Sequence, residues 1–119
     1  MPDTTTTLAV LREAVRRFAA ERDWEQFHSP KNLSMGLAVE AGELMEHFLW
    51  MEGEASRQIK LDAKRLEQVA DEMADVAVYL LNLANTLDID LSDAITNKIA
   101  KNALKYPAEK YKGRYTVKD

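Results

Sequence analysis

The sequence contains no cysteine and few turn-forming residues, with 4 glycines and 3 prolines among 119 residues. Without thiols, the chain has no disulfide scaffold, zinc–thiolate site, iron–sulfur cluster or thiol nucleophile. The absence of cysteine also favours a reducing compartment, so we expect a cytoplasmic protein. So few glycines and prolines are atypical of a many-turned β-sandwich or β-barrel.

Net charge and hydrophobicity argue against further classes of protein. Sixteen basic and 20 acidic residues give a net charge of −4, so a general nucleic-acid or anionic-membrane surface is not expected. No apolar run approaches the ~20 residues of a membrane span. Residues 1–7 lack the basic and apolar regions of a signal peptide and are interpreted as a flexible leader. A chain of this length can form one domain with its own core.

Apolar residues recur at helical spacing in four segments, and no segment has the alternation of a strand. This pattern predicts an all-α four-helix bundle. The predicted helices span residues 8–23, 30–51, 61–87 and 91–105.

The clearest boundary signals flank the second and fourth predicted helices. Ser29 is a good helix cap, and Pro30 suits the first helical position. Tyr106 precedes Pro107, which disfavours helical backbone at that point. We therefore expect a domain over residues 8–107, followed by a polar tail over residues 108–119 that is loosely held or disordered.

The second predicted helix is apolar on two sides. Its main stripe consists of Leu33, Leu37, Leu44, Phe48 and Met51. Its second patch, on the other side, consists of Ala38, Met45 and Leu49. One stripe is enough for a monomeric bundle, so the second patch predicts contact with another subunit. The alternative is a set of single exposed apolar side chains, which are common on protein surfaces.

Two pairs of acidic residues border the apolar stripes. Glu40 and Glu43 are three apart on the second predicted helix, and Glu72 and Asp75 are three apart on the third. Side chains three apart share a helix face, so antiparallel packing could bring four carboxylates together. Oxygen ligands suit a hard cation such as Mg²⁺ or Mn²⁺. The alternative is a solvated charged face.

Cationic and aromatic residues extend this hypothesis. Lys98, Lys101 and Lys105 share one face of the fourth predicted helix and could meet phosphates, or could form a solvated face. Aromatic residues before and at the end of the second helix could stack on a base, although the core is the expected place for Phe27.

Several motifs together resemble the MazG-like superfamily of all-α nucleoside triphosphate pyrophosphohydrolases, and within it the dCTP pyrophosphatase 1 branch. They are the two acidic pairs, Ala20–Leu33 (AERDWEQFHSPKNL), Phe48–Trp50, and the pattern of Lys98, Asn102, Lys105, Tyr106 and Pro107. The resemblance covers residues 8–107. It departs at Val15, where better-known members of the branch carry a histidine.

The resemblance implies a Mg²⁺-dependent homo-oligomer, a dimer or tetramer, that converts dCTP or a 5-modified dCTP to the monophosphate and pyrophosphate. The implied role is house-cleaning of the nucleotide pool. The implied catalytic and metal-binding residues are Glu40, Glu43, Glu72 and Asp75. The implied substrate-binding residues are Trp24, Glu25, Gln26, Phe27, His28, Trp50, Tyr79, Lys98 and Asn102.

Two other functions are compatible with a helical bundle. A non-enzymatic oligomeric module would explain the second apolar patch but not the acidic pairs. A di-iron carboxylate protein needs a Glu-x-x-His motif on each of two helices, and only Glu25 and His28 have that spacing.

Overall fold

The computed structural model describes residues 1–115, and all the regular structure within them is helical. The all-α prediction is thereby confirmed. No helix in this part of the chain is both long enough and apolar enough to cross a membrane. The elements are α1 (Leu8–Glu21), α2 (Pro30–Glu46), α3 (Gly53–Arg57), α4 (Ala63–Leu87), α5 (Leu91–Lys105) and α6 (Ala108–Tyr111), with 3₁₀ turns at Glu25–Phe27 and Ile59–Leu61.

The chain divides into two compact units, with the division after Asp88. The first unit contains α1 to α4, and the second contains α5 and α6. The predicted third and fourth helices correspond to α4 and α5. Part of the predicted tail forms α6, and residues 116–119 lie outside the described residues.

Side-chain caps start the four long helices of the described chain. The Ser29 hydroxyl accepts a hydrogen bond from the Asn32 amide at 3.1 Å, and Pro30 occupies the first turn, as predicted. Thr7, Asp62 and Asp90 make the corresponding contacts at α1, α4 and α5. Each cap satisfies an amide that has no partner within its own helix, so these residues define the helix starts.

The predicted second helix extends too far at its C-terminal end. Helix α2 ends at Glu46, after which the amides of His47 and Phe48 donate to the carbonyls three residues earlier. Such bonds tighten the last turn of a helix. The apolar repeat continues through Phe48 and Met51, which explains why periodicity alone extends the helix.

Helices α2 and α4 pack antiparallel. Gly36 of α2 lies against Tyr79 of α4, while His47, further along α2, lies beside Glu72, further back along α4. Helix α1 is attached to α4 by a reciprocal contact, in which Arg12 Nε donates to Asn85 Oδ1 at 2.9 Å and Asn85 Nδ2 donates to the Arg12 carbonyl at 3.0 Å. Helix α2 therefore packs along the middle of α4, whereas the Arg12–Asn85 contact attaches α1 near the C-terminal end of α4.

The buried core of the described residues is small. Leu33 is 1% exposed, and the other buried apolar residues are Ala19, Ile59, Val69, Leu81 and Ala84. Apolar side chains of α1 and α4 are only partly buried, since Phe18, Leu66 and Met73 are exposed. Residues 52–60, expected to be a connection, form α3 and part of a 3₁₀ turn that buries Ile59.

The Tyr79 ring of α4 packs directly against the backbone of α2 at Gly36. A Cβ atom built there would lie 2.7 Å from Cζ of Tyr79, which is too close without movement of the ring. Gly42, two turns later, has no atom within 4 Å of such a Cβ. The glycine that the helical packing requires is therefore Gly36 rather than Gly42.

Gly36→Ala and Gly42→Ala should change stability in opposite directions. Overpacking typically costs ~1–3 kcal/mol, whereas alanine in a helix gains up to ~1 kcal/mol over glycine. We expect Gly36→Ala to lower the free energy of unfolding by about 1 kcal/mol and Gly42→Ala to leave it unchanged or raise it. Urea denaturation measures both. Equal stabilities for the two variants would contradict the close approach of Tyr79 to α2.

Candidate metal site and cavity

Three of the four predicted carboxylates converge between α2 and α4. Glu40, Glu43 and Glu72 each offer one oxygen atom, and these atoms lie within 4.8 Å of one another. The spacing of three residues directs Glu40 and Glu43 to the same side of α2, and the antiparallel packing brings Glu72 opposite them. The convergence that the sequence predicted is therefore confirmed for these three residues.

The environment of this acidic cluster disfavours negative charge. Oε2 of Glu40 and Oε2 of Glu72 are buried, and neither has a hydrogen-bond partner within residues 1–115. Burial raises the pKa of Glu40, and a hydrogen bond with Glu43 and the charges of Glu43, Asp75 and Glu72 raise it further. Buried acceptors normally have a partner, so these two oxygens lack a donor or a cation that residues 1–115 do not supply.

A divalent cation fits these residues. The donors are all carboxylate oxygens, which are preferred by hard cations, and a cation would satisfy the buried atoms and offset the repulsion. A solvated charged face would leave the same oxygens in contact with water, so the burial argues against that alternative. Glu25 and His28, the pair considered for a di-iron site, are not members of the acidic cluster.

Asp75 and His47 lie beside the acidic cluster. Asp75 is not one of the three converging residues, but it lines the same cavity as Glu40 and is close enough to raise the pKa of that group. His47 Nε2 lies 3.7 Å from Glu72 Oε1, which gives an ion pair when the imidazole is protonated. His47 was not among the predicted site residues.

A cavity of about 510 Å³ opens next to the cluster, within the usual size range of ligand pockets. Its walls come from α1, α2, α4 and the segment between α1 and α2, and they are mostly apolar. The lining residues are Ala14, Val15, Phe18, Ala19, Trp24, His28, Glu40, Asp75, Val78, Tyr79 and Asn82.

The turn after α1 places Trp24 in the cavity wall. Asp23 has a left-handed backbone with φ of 54°, and the Trp24 amide donates to the Ala19 carbonyl at 3.0 Å. This turn brings the Trp24 ring edge-on to Phe18, with 5.8 Å between ring centroids. Helical periodicity does not predict such a reversal, because it depends on one residue with positive φ.

The predicted aromatic residues differ in position. Tyr79 and His28 border the main cavity, and both also line a neighbouring cavity of about 310 Å³ with Phe27. Phe27 is 59% exposed, so its expected place in the core is wrong. The 3₁₀ turn at Glu25–Phe27 contains no buried residue, and the Phe27 ring lies at the surface.

Other predicted substrate residues lie outside the main cavity. Gln26 Nε2 donates to the Asp23 carbonyl and carboxylate, and Glu25 lines a third, polar cavity. Trp50 is 93% exposed and lines none of these cavities. Lys98 and Asn102 belong to α5 in the second unit. The substrate-binding roles of all these residues stay predictions.

Sequence reasoning missed Asn82 and Val78 as cavity residues. Asn82 follows Asp75 and Tyr79 at helical spacing on α4, so extending that face by one turn would have found it. Ala14 and Phe18 were assigned only to the first helix, although they form the cavity wall. Val15, the position noted for its missing histidine, also lies in this wall.

Comparison with known proteins agrees with this fold. Residues 36–116 match the model of the MazG-like family, so the chain belongs to that family. A pyrophosphatase from Archaeoglobus fulgidus has a similar fold, with a TM-score of 0.77 and 32% sequence identity over 90% of this chain and 98% of that one.

Curated relatives agree with the predicted branch. The chain is 38% identical to dCTP pyrophosphatase 1 of Mus musculus over 107 residues, which are 90% of this chain and 63% of the mouse protein. It is 43% identical to dCTP pyrophosphatase 1 of Homo sapiens over 103 residues, which are 86% of this chain and 60% of the human protein. The chain therefore spans less than two thirds of the length of these relatives.

Glu40→Gln should make the metal-free protein more stable at neutral pH. The pKa of Glu40 is raised in the folded state, so folding favours the protonated form, and stability is lost as the pH rises from 4.5 through the raised pKa. Glutamine does not ionise and avoids this loss. We expect the melting temperature of Glu40→Gln to exceed that of the wild type at pH 7, by a difference that disappears near pH 4.5. Thermal unfolding in chelator, across this pH range, measures the effect.

Added Mg²⁺ should reverse the order of the two melting temperatures, so that the wild type becomes more stable than Glu40→Gln. A cation that binds only the folded state stabilises it by ~2.7 kcal/mol at a hundredfold excess over Kd. The wild type should therefore gain melting temperature with millimolar Mg²⁺, and Glu40→Gln should gain less. Sodium chloride at matched ionic strength is the control. Identical curves in the two salts would contradict the metal site.

Proposed function

We propose that this chain is a metal-dependent nucleoside triphosphate pyrophosphohydrolase, with Mg²⁺ as the ion and Mn²⁺ as a substitute. One observation carries the proposal: buried carboxylate oxygens without partners lie beside a cavity large enough for a small ligand. The names of the similar proteins, dCTP pyrophosphatase 1 and a pyrophosphatase, support the reaction type. A binding module with no catalytic function would not account for two buried carboxylate oxygens without partners in the described residues.

The acidic residues hold the ion at one end of the cavity. Glu40, Glu43 and Glu72 supply the oxygens that already converge, and Asp75 lies next to them in the cavity wall. When bound, the cation neutralises phosphate charge and polarises the phosphoryl group under attack. The four carboxylates would hold the cation, and they would thereby determine at which end of the cavity the triphosphate binds.

The remaining walls of the cavity hold the nucleoside. Trp24 and Tyr79 offer aromatic surface for the base or sugar, and His28 offers a polar edge near both. Ala14, Val15 and Phe18 exclude water from the opposite side. A nucleotide therefore lies along α4, with its phosphates near Asp75 and its base further towards the C-terminal end of the helix.

The reaction is an in-line displacement at the α-phosphorus. A water oxygen forms a bond to phosphorus, the bond to the bridging oxygen breaks, and the products are a nucleoside monophosphate and pyrophosphate. The proton of the water passes to a carboxylate. Glu40 is the candidate acceptor, because it lines the cavity whereas Glu43 does not.

The substrate is dCTP or a 5-substituted dCTP. The chain shares 37–43% identity with four mammalian dCTP pyrophosphatases, and the apolar wall near Val15 would tolerate a small base substituent. The physiological role is removal of unwanted nucleotides from the cytoplasmic pool.

The functional unit is a homo-oligomer, a dimer or tetramer. Helix α2 exposes Met35, Val39 and Met45, more apolar surface than a monomeric helix requires. Gly42 shares the face of Met35 and Val39 and would let a second helix approach closely. Trp50 lines no cavity of its own chain, so we assign it to the substrate site of a second copy.

Asp75→Asn tests the enzymatic proposal directly. Loss of a carboxylate that would help to hold the cation should lower kcat by ~10²-fold or more without changing the fold. Asp71→Asn, one turn earlier on the same helix and exposed, is the matched control and should retain activity. Pyrophosphate release from dCTP in Mg²⁺ measures both. A non-enzymatic module predicts no release from the wild type, and full activity of Asp75→Asn would exclude its role in holding the cation.

Trp50→Ala tests the base-stacking role. A base–aromatic stack contributes ~1–3 kcal/mol, mostly as uniform binding, so KM for dCTP should rise by roughly 5- to 150-fold with a smaller change in kcat. The melting temperature should stay near that of the wild type, because the side chain is 93% exposed. An unchanged KM in a variant that keeps its oligomeric state would rule out the stacking role.

A further inference from the structure

The side chain of Asn82 lines the main cavity and makes no hydrogen bond that would stabilise the fold within residues 1–115. Its side chain is half-buried, and its carboxamide has no hydrogen-bond partner within residues 1–115. Its neighbour Asn85, by contrast, is bonded at both ends of its carboxamide to Arg12. The amide atoms of Asn82 are open to solvent, so water hydrates them in the free protein, and a ligand that displaces this water must offer equivalent hydrogen bonds.

The position of Asn82 along α4 matches the base end of a nucleotide. It follows Asp75 by seven residues, which is about 10 Å along the helix axis, and both residues line the main cavity. That separation is comparable to the length of a nucleoside monophosphate from its phosphate to the far edge of its base. Asn82 also borders a polar cavity of about 290 Å³, together with His28 and Ala19, so no protein group covers it.

The chemistry of a carboxamide suits a base edge. Asn presents a donor and an acceptor side by side in one plane, and the cytosine edge presents the 4-amino donor beside the N3 acceptor. Among the residues that line the cavity, Asn82 is the only carboxamide. Glu40 and Asp75 offer only acceptors when ionised, and Tyr79 offers a single hydroxyl.

We propose that Asn82 is a specificity-determining residue that hydrogen-bonds the 4-amino group and N3 of cytosine. This inference rests on the proposed function, because it places the phosphates of a nucleotide at the acidic cluster. The amide oxygen accepts from the 4-amino group, and the amide nitrogen donates to N3. Rotation of the carboxamide by half a turn would offer the reverse pattern to thymine. A comparison of dCTP with dTTP therefore does not isolate the contact, whereas removal of the 4-amino group does.

The test combines Asn82→Leu with a substrate analogue. The pyrimidin-2-one analogue of dCTP lacks the 4-amino group and is otherwise the same. For the wild type, we expect removal of that group to lower kcat/KM by about tenfold or more, which corresponds to a lost hydrogen bond of ~1.4 kcal/mol. For Asn82→Leu, the two substrates should differ by less than about threefold, and the loss with dCTP should appear mainly in KM.

Gln68→Leu is the matched control, since it replaces a carboxamide by the same apolar group on an exposed position of α4 outside the cavities. It should retain the full discrimination of the wild type. Asn82→Ala serves in place of Asn82→Leu if the larger side chain lowers the melting temperature. An Asn82 variant that still discriminates between the two substrates tenfold would overturn the proposal.

A binding measurement separates this inference from the proposed function. In millimolar Mg²⁺, dCMP should bind the wild type about tenfold or more tightly than Asn82→Leu, as measured by titration calorimetry, whether or not the protein hydrolyses dCTP. Absence of pyrophosphate release from the wild type, with this difference in dCMP binding, would contradict the enzymatic proposal and support the Asn82 contact. Equal dCMP binding by the two proteins, or binding by neither, would overturn the Asn82 contact.

Discussion

The close packing of α2 against α4 is the constraint on which the site depends. Where Gly36 meets Tyr79, the two helices approach more closely than any larger side chain would allow. Further along the same interface, that approach brings Glu72 to Glu40 and Glu43 and removes some of their oxygens from water. A wider spacing would hydrate these carboxylates and leave an ordinary charged surface. The glycine therefore contributes to the chemistry through distance, without touching the acidic residues itself.

The same interface also explains why the cavity has two unlike ends. Helix α4 carries carboxylates in its middle and Tyr79 and Asn82 towards its C-terminal end, and α1 covers this second part with apolar side chains. The Arg12–Asn85 contact holds α1 there without a large apolar interface. A charged end and an apolar end, joined along one helix, match a ligand that is itself anionic at one end and aromatic at the other.

Much of this arrangement follows from local signals. Ser29 with Pro30, and Asp62 and Asp90, define helix starts because each satisfies amides within its own turn. The acidic pairs were recognisable because residues three apart share a helix face whatever surrounds the helix. The predicted end of the second helix is wrong because the apolar repeat continues beyond the point where the helix ends. The apolar repeat runs through Phe48 and Met51 although α2 has already ended in tighter turns.

The sequence by itself determined the helices, the family and the residues available to bind a cation, because periodicity, caps and short motifs are local properties. Only the tertiary structure decided which of these residues meet. Asp75 stands beside the three converging glutamates rather than among them, and Trp50 lies outside the cavities of its own chain. Asn82 shares a face of α4 with Asp75 and Tyr79, but only the packing of α1 against α4 makes that face the wall of a cavity. Such facts depend on the distance between helices far apart in the chain, and no local pattern specifies that distance.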